Sequence, residues 1–421
     1  MSDEARRMAP PVLAGAGADA REGAREGARE GAFEPRLDRR GSSRVDPADV
    51  PEPEALRELG VLRDVDVHFA RTAARLGGER DPHVLLALAV ASRAPGAGHV
   101  CAELDAPTRL VRLEGRGAGA VRWPAAAAWC AALAASPLVA TPDGAAAGLA
   151  CPLVLDGTRL YLTRYWRHQR RLLDALRARA ATVRDDVDEA VLRVGIDRLF
   201  RADGEPADAR QVDAAATAVL RGLAVITGGP GTGKTWTVLR VLALLAEQRR
   251  ACGEPMPRVA LAAPTGKAAA RLVESIAVGL PALRVDPEIA AAIPRGARTV
   301  HALLGWQPRT PTRFRHDAAN PLPADVVVVD EASMVDLALM AKLVDAVAPG
   351  ARLVVLGDRD QLASVEAGSI LADVCGPAGE APSPAFARRL GRATAPAASA
   401  EATSADATSA GATGADATCA D

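Results

Sequence analysis

The chain has 421 residues, 49% of them hydrophobic, and carries 51 Lys and Arg against 52 Asp and Glu for a net charge of −1. That is enough apolar material for two or three domains, while the even charge balance excludes a globally basic nucleic-acid binder and confines any DNA contact to a local surface. Aromatic residues make up only 3%, which argues against an aromatic base-stacking platform and leaves the cores to Leu, Val, Ile and Ala.

In chain order, residues 1–50 hold a tandem Arg-Glu-Gly-Ala repeat from Arg21 to Ala32. Such a segment buries too little apolar surface to offset chain entropy, so disorder is expected there. From Pro51 the pattern changes. Leu56, Leu59, Leu62, Val65 and Phe69 recur at helical spacing, and Val84 to Ala91 forms a second apolar run. Leu153 to Leu162 reads as a hairpin around Asp156-Gly157. A basic helix follows through Tyr165, Trp166, His168 and Arg171 to Arg179, a pattern that more often marks a solvated face than a binding surface.

Leu223-Ala-Val-Ile-Thr227 then leads into Gly228-Gly-Pro-Gly-Thr-Gly-Lys234-Thr235 and an apolar helical run from Val238 to Leu245. The G-x-x-x-x-G-K-[ST] spacing between strand and helix predicts a phosphate-binding loop. Glycines let backbone N–H groups turn inward around phosphate oxygens at the positive end of a helix. Lys234 can reach the β- and γ-phosphates of ATP, and the Thr235 hydroxyl can ligate Mg²⁺.

Val259 to Ala263, Val326 to Val329 and Arg352 to Leu356 are short apolar runs separated by helical stretches, as parallel strands buried on both faces require. The second ends on Asp330-Glu331. A pair of acids at the carboxyl end of a buried strand is placed to hold Mg²⁺ through Asp330 and to polarise an attacking water through Glu331. Pro308 to Pro323 reads as a loop or small hairpin. Past Cys375 the composition shifts to Pro, Gly, Ala and Ser, and threonines at 403, 408, 413 and 418 mark a five-residue repeat, so residues 377–421 read as a low-complexity disordered tail.

Six scattered cysteines with no C-x-x-C pair argue for reduced thiols. The start lacks a signal-peptide core, and no run of about 18 apolar residues is present. A soluble cytoplasmic protein without membrane contact is expected.

Six ordered motifs resemble those of superfamily 1 helicases, and among them the alpha (RecD) subunits of bacterial exodeoxyribonuclease V. They are Gln211; Gly228 to Thr235; Ala263-Pro-Thr-Gly-Lys-Ala-Ala-Ala-Arg-Leu272; Thr299-Val-His301-Ala-Leu-Leu-Gly305; Val329-Asp-Glu-Ala-Ser-Met-Val-Asp336; and Leu356-Gly-Asp358-Arg-Asp-Gln361-Leu. The likeness covers roughly residues 205 to 372, and a weaker one extends it to about 55. It implies an α/β, RecA-like P-loop NTPase domain with a parallel sheet (181–376), preceded by a small, mainly helical, partner-docking domain (51–180), with disordered termini.

By the same resemblance, Gly228, Gly229, Pro230, Gly231, Thr232, Gly233, Lys234 and Thr235 bind the nucleotide and Gln211 recognises adenine. Lys234, Asp330, Glu331 and Gln361 carry catalysis, Gln361 sensing the γ-phosphate, while Thr235 and Asp330 hold Mg²⁺. Pro264, Thr265, Lys267, Thr299 and His301 touch single-stranded DNA. Trp236 departs from the family, which more often has a small residue there. It packs beneath the nucleotide or fills the gap between helix and sheet.

The implied function is that of an ATP-driven 5′-to-3′ helicase acting on the single strand at a duplex end, with beta and gamma partner subunits, in double-strand-break repair and recombination. The family's later motifs have no counterpart after Leu371, so a truncated or frame-altered subunit lacking its second lobe is expected. A nucleotide-binding docking module without unwinding, or a different P-loop ATPase, stand as alternatives.

Overall fold

The computed structural model describes residues 50–110, 121–201, 208–310, 313–359, 361, 368, 370–375 and 382–396. The expected N-terminal disorder, the threonine repeat, and Asp360 and Leu362 of the last motif lie outside these residues. The chain divides into two units, one formed by residues up to Arg171 with Asp336–Ala341 and Ala363–Val374, the other by Leu172–Val335, Lys342–Leu362 and the residues from Cys375.

The first unit opens with α1 (Pro53–Glu58), α2 (Asp64–Gly77) and α3 (Pro82–Gly96). Asp81 caps α3 by accepting from the His83 N–H, and Pro82 takes the first helical position. Nine of the fifteen residues of α3 are buried, which makes it the helix around which this core packs. The apolar spacing from Leu56 to Phe69 does not trace one helical face. Gly60, at φ 74°, turns the chain between α1 and α2, so Leu56 and Leu62 are buried while Leu59 and Val65 are exposed.

β1 (Ala102–Glu103), α4 (Ala126–Ala134), β2 (Val139–Ala140), α5 (Pro142–Ala146), β3 (Leu153–Asp156) and β4 (Arg159–Leu162) follow. They give a four-stranded sheet in the order β1-β4-β3-β2, with β3 and β4 forming the expected hairpin. α6 (Thr163–Ala181) is the basic helix. A boundary at 180, near the end of α6, was expected; the division falls earlier in that helix, after Arg171. Trp166, in its first turns, packs in a cluster with Tyr161 and Val154, whereas Arg179 is buried in the second unit and donates to the carbonyls of Val347, Ala348 and Ala351. That arginine is structural, satisfying carbonyls past a helix C-terminus.

The second unit is an α/β layer: α7 (Glu189–Phe200), α8 (Ala209–Leu220), β5 (Leu223–Thr227), α9 (Lys234–Ala251), β6 (Val259–Ala263), α10 (Gly266–Gly279), α11 (Pro287–Ala292), β7 (Arg298–Thr299), α12 (Val300–Leu304), β8 (Val326–Val329), the second half of α13 (Leu337–Ala346) from Lys342, and β9 (Arg352–Gly357). The five strands run in the order β5-β9-β8-β6-β7, every pairing parallel. All four residues of β8 and all six of β9 are buried, as two covered faces demand. α9 is buried almost continuously from Thr237 to Gln248. Among the described residues of the Pro308–Pro323 stretch, Phe314 forms an isolated antiparallel bridge with Trp306.

α14 (Ile370–Cys375) is followed by α15 (Pro384–Thr394), and α15 corrects the expectation of a disordered tail beginning at 377. Ser383 caps it, accepting from the Phe386 N–H. The Arg221 guanidinium lies 4.0 Å from the Phe386 ring centroid, Arg389 and Arg392 both pair with Glu189 of α7, and Ala393 is completely buried. Residues 397–421 lie outside the described part.

Asp373 of α14 yields a pH-dependent prediction. Burial pushes its carboxyl from an ordinary 3.8 up to about 6. Between those values the folded chain keeps a proton that the unfolded chain has released, so stability falls as pH rises through this window. Asp373→Asn is expected to gain about 1–2 kcal/mol at pH 8, after discounting for partial exposure, and next to nothing at about pH 3, below the unfolded value. Urea unfolding at the two pH values reads the difference, and equal gains at both would refute burial of charge as the cause.

Candidate nucleotide and strand-contact site

Because all five strands of the second unit are parallel, their carboxyl ends lie along one edge, and every predicted site motif of that unit except Gln211, which sits in α8 ahead of β5, lies at or just past one of those ends. In open α/β sheets this is where ligands collect. β5 ends at Thr227, in register with Gly357 of β9, and the Gly228 N–H donates to the Gly357 carbonyl at 3.3 Å.

The loop then reverses into α9. Gly231 (φ 77°) and Gly233 (φ 81°) occupy the left-handed region, where a Cβ is strained. The Thr232 hydroxyl donates to the Gly229 carbonyl at 2.9 Å, bracing the turn. Lys234 opens α9, and its Nζ donates to the carbonyls of Gly228 at 2.6 Å and Gly229 at 2.9 Å, laying the ammonium across the loop. The first N–H groups of α9 have no carbonyl one turn back and carry the positive end of the helix dipole. Gln211 of α8 donates from Nε2 to the Thr232 carbonyl at 3.2 Å, which ties the glutamine to this same loop.

The acids enter from β8. The Asp330 N–H donates to Ala262 of β6 at 2.9 Å, extending the sheet by one residue, and the Asp330 carboxylate accepts from the Glu331 N–H at 2.9 Å. Burial pushes the Asp330 carboxyl above its usual range, the Glu331 N–H opposes that shift, the Glu331 charge adds to it, and the Lys234 ammonium opposes it. A divalent cation relieves such a buried charge. The donor set of Asp330 carboxylate and Thr235 hydroxyl is hard oxygen, as Mg²⁺ prefers. Two protein donors fill only part of an octahedral shell, which phosphate oxygens and water would complete.

Glu331 itself sits at φ 51°, a left-handed conformation uncommon for a non-glycine residue and associated with strain of about 1–2 kcal/mol. Just beyond it, buried Ser333 donates from Oγ to Gln361 Oε1 at 3.1 Å. Gln361 follows β9, so this bond joins the strand-end residues of β8 and β9. Ser333 stood unassigned inside its motif, and only the fold pairs it with a residue 28 positions away.

At the other end of the edge, Ala263 of β6 is in register with Thr299 of β7. Thr265 caps α10 by accepting from the Ala268 N–H, and Thr299 caps α12 by accepting from the Ala302 N–H. Each hydroxyl keeps its own O–H as a donor. Pro264 is half-buried, and Thr265, Lys267 and His301 are exposed. The His301 ring lies 5.7 Å from that of Phe314, which gives it a packing role of its own. The fold thus places the nucleotide-loop residues, the acids with Gln361, and the two capping threonines along one sheet edge.

Residues 58–161 match the family model of the RecBCD enzyme subunit RecD, N-terminal domain, and residues 211–367 match that of an AAA domain. The RecBCD enzyme subunit RecD of Mycolicibacterium smegmatis is 47% identical over 321 residues, which cover 76% of this chain and 53% of that protein. The RecBCD enzyme subunit RecD of Mycobacterium tuberculosis is 46% identical over 323 residues, covering 76% and 52%. The ATP-dependent RecD2 DNA helicase of Deinococcus radiodurans is 44% identical over 146 residues, covering 35% and 17%. The chain spans about half the length of the RecD relatives it matches.

Proposed function

We propose that this chain, a RecD-family polypeptide by its N-terminal domain and its likeness to RecD subunits, carries the ATP site of a DNA helicase subunit. One observation supports this reading above the others: parallel strand ends bring the loop of Gly228–Thr235, the Asp330-Glu331 pair and Gln361 to a single sheet edge. In this reading Gly228, Gly229, Pro230, Gly231, Thr232 and Gly233 wrap the phosphates, Lys234 neutralises charge on the β- and γ-oxygens, and Gln211 meets the adenine edge. Thr235 and Asp330 would hold Mg²⁺, which supplies further charge neutralisation at the phosphates when bound.

Glu331 orients and deprotonates the attacking water. Gln361 faces the γ-phosphate and, through Ser333, links phosphate loss to the turn after β8. Pro264, Thr265, Lys267, Thr299 and His301 hold a DNA strand by its phosphates, which positions the strand without reading sequence. The wider role is the one that the motif resemblance implies: a 5′-to-3′ motor working with beta and gamma subunits of exodeoxyribonuclease V in double-strand-break repair and recombination in the cytoplasm. Among the described residues no helix is long and apolar enough to cross a membrane.

The test is ATP hydrolysis by the 421-residue chain with Mg²⁺, with and without single-stranded DNA. Stimulation by DNA is the expected result, and turnover indifferent to DNA would refute the motor. Binding of ATP without hydrolysis would instead mark a module that docks on partners without turnover.

A further inference from the structure

Trp236, the residue directly after Thr235, is held as a surface plate beside the phosphate loop. It is 39% exposed, so it does not serve as filler between helix and sheet. Exposure alone would say little. What distinguishes this ring is how it is fixed. The Arg240 guanidinium, one turn further along α9, lies 4.7 Å from the Trp236 ring centroid and 4.7 Å from that of Phe200, at the end of α7.

Arg240 Nε also donates to the Leu199 carbonyl at 2.7 Å, so the cation between the two rings is anchored to the backbone of α7. Gly279 presents no side chain at Trp236 Cζ2, which lies 4.0 Å from where a Cβ would stand. The indole is therefore braced by a fixed cation while 39% of the residue stays open to solvent. Its backbone is two residues from Lys234, and Gln211 is bonded to the same loop through Thr232.

We propose that Trp236 is the stacking platform for the purine base of the bound nucleotide, with Arg240 and Phe200 holding the ring in place. The proposal rests on the ATP-site reading and deepens it by adding a contact to the base. Stacking needs only a π-face, so Trp236 supplies affinity for any purine nucleoside phosphate and none for a bare polyphosphate, while selection between bases falls to the Gln211 amide. Few aromatic residues are present in the chain, and a single well-braced one suffices for a single base.

Calorimetric titration of the full chain with Mg-ADP and, separately, with Mg-tripolyphosphate tests this. Trp236→Ala is expected to weaken Mg-ADP by about 5- to 150-fold, the range found for base-aromatic stacking, while tripolyphosphate binds as in the parent and so reports an intact loop. Trp236→Phe is expected to keep most of the ADP affinity. Parent-like ADP binding by Trp236→Ala, or an equal loss of both ligands, would overturn the platform while leaving the ATP site standing. A parent chain that binds neither ligand would overturn the ATP-site reading, and this proposal with it.

Discussion

Replacing Lys234 with alanine is expected to lower ATP turnover by on the order of 10²–10³-fold, the cost of deleting one preorganised donor aimed at developing charge. The ammonium has no substitute within the loop. Its present partners are the carbonyls of Gly228 and Gly229, acceptors that cannot neutralise a phosphate, and the helix N–H groups bring only partial charge. Folding should persist. The two carbonyls released by the substitution are in a half-exposed loop that water can reach, and alanine is the better helix former at the start of α9. A stability change within about 0.5 kcal/mol is expected. Hydrolysis assays alongside thermal unfolding check both halves, and undiminished turnover in a folded Lys234→Ala chain would remove the lysine from the site.

The Gly228–Thr235 turn from β5 into α9 was legible in the sequence because its backbone leaves few alternatives. Gly231 and Gly233 adopt positive φ, and a Cβ at Gly228 would stand 2.5 Å from the Thr232 hydroxyl, so the glycines announce the geometry. The strands were legible for a different reason: β8 and β9, covered on both faces, need uninterrupted apolar residues. α15 was obscured by composition. Its contacts are Phe386, Leu390 and Ala393, a helical i, i+4, i+7 spacing after a Ser383-Pro384 start, but two arginines reaching back to Glu189 supply much of the docking, and that partner is 200 residues away in sequence.

Other features cannot be read from local pattern at all. The Ser333–Gln361 bond depends on β8 and β9 being neighbours, and strand order is a property of the whole sheet. Arg179 looked like one more charge on a basic helix, yet burial among three carbonyls makes it a capping group. Thr265 and Thr299 had a visible local signal, a threonine before a helix, but not the register of Ala263 with Thr299 that sets their strands side by side.

Glu331→Gln is expected to separate binding from chemistry, with turnover falling on the order of 10²–10⁴-fold, the usual contribution of a positioned general base. Nucleotide affinity should stay within a few-fold of the parent. The amide has the size and shape of the carboxylate, so it can still hydrogen-bond a water, but it cannot take that water's proton. The backbone at 331 holds φ 51°, and glutamine tolerates that conformation no better and no worse than glutamate, so the conformational cost cancels in the comparison. Removing the Glu331 charge also removes one influence that raises the Asp330 carboxyl, which leaves Asp330 better able to stay ionised. Parallel measurement of Mg-ATP affinity and hydrolysis distinguishes the outcomes: intact binding with lost turnover supports the base, whereas loss of both in proportion would make Glu331 a binding group, and unchanged turnover would leave the water to some other residue.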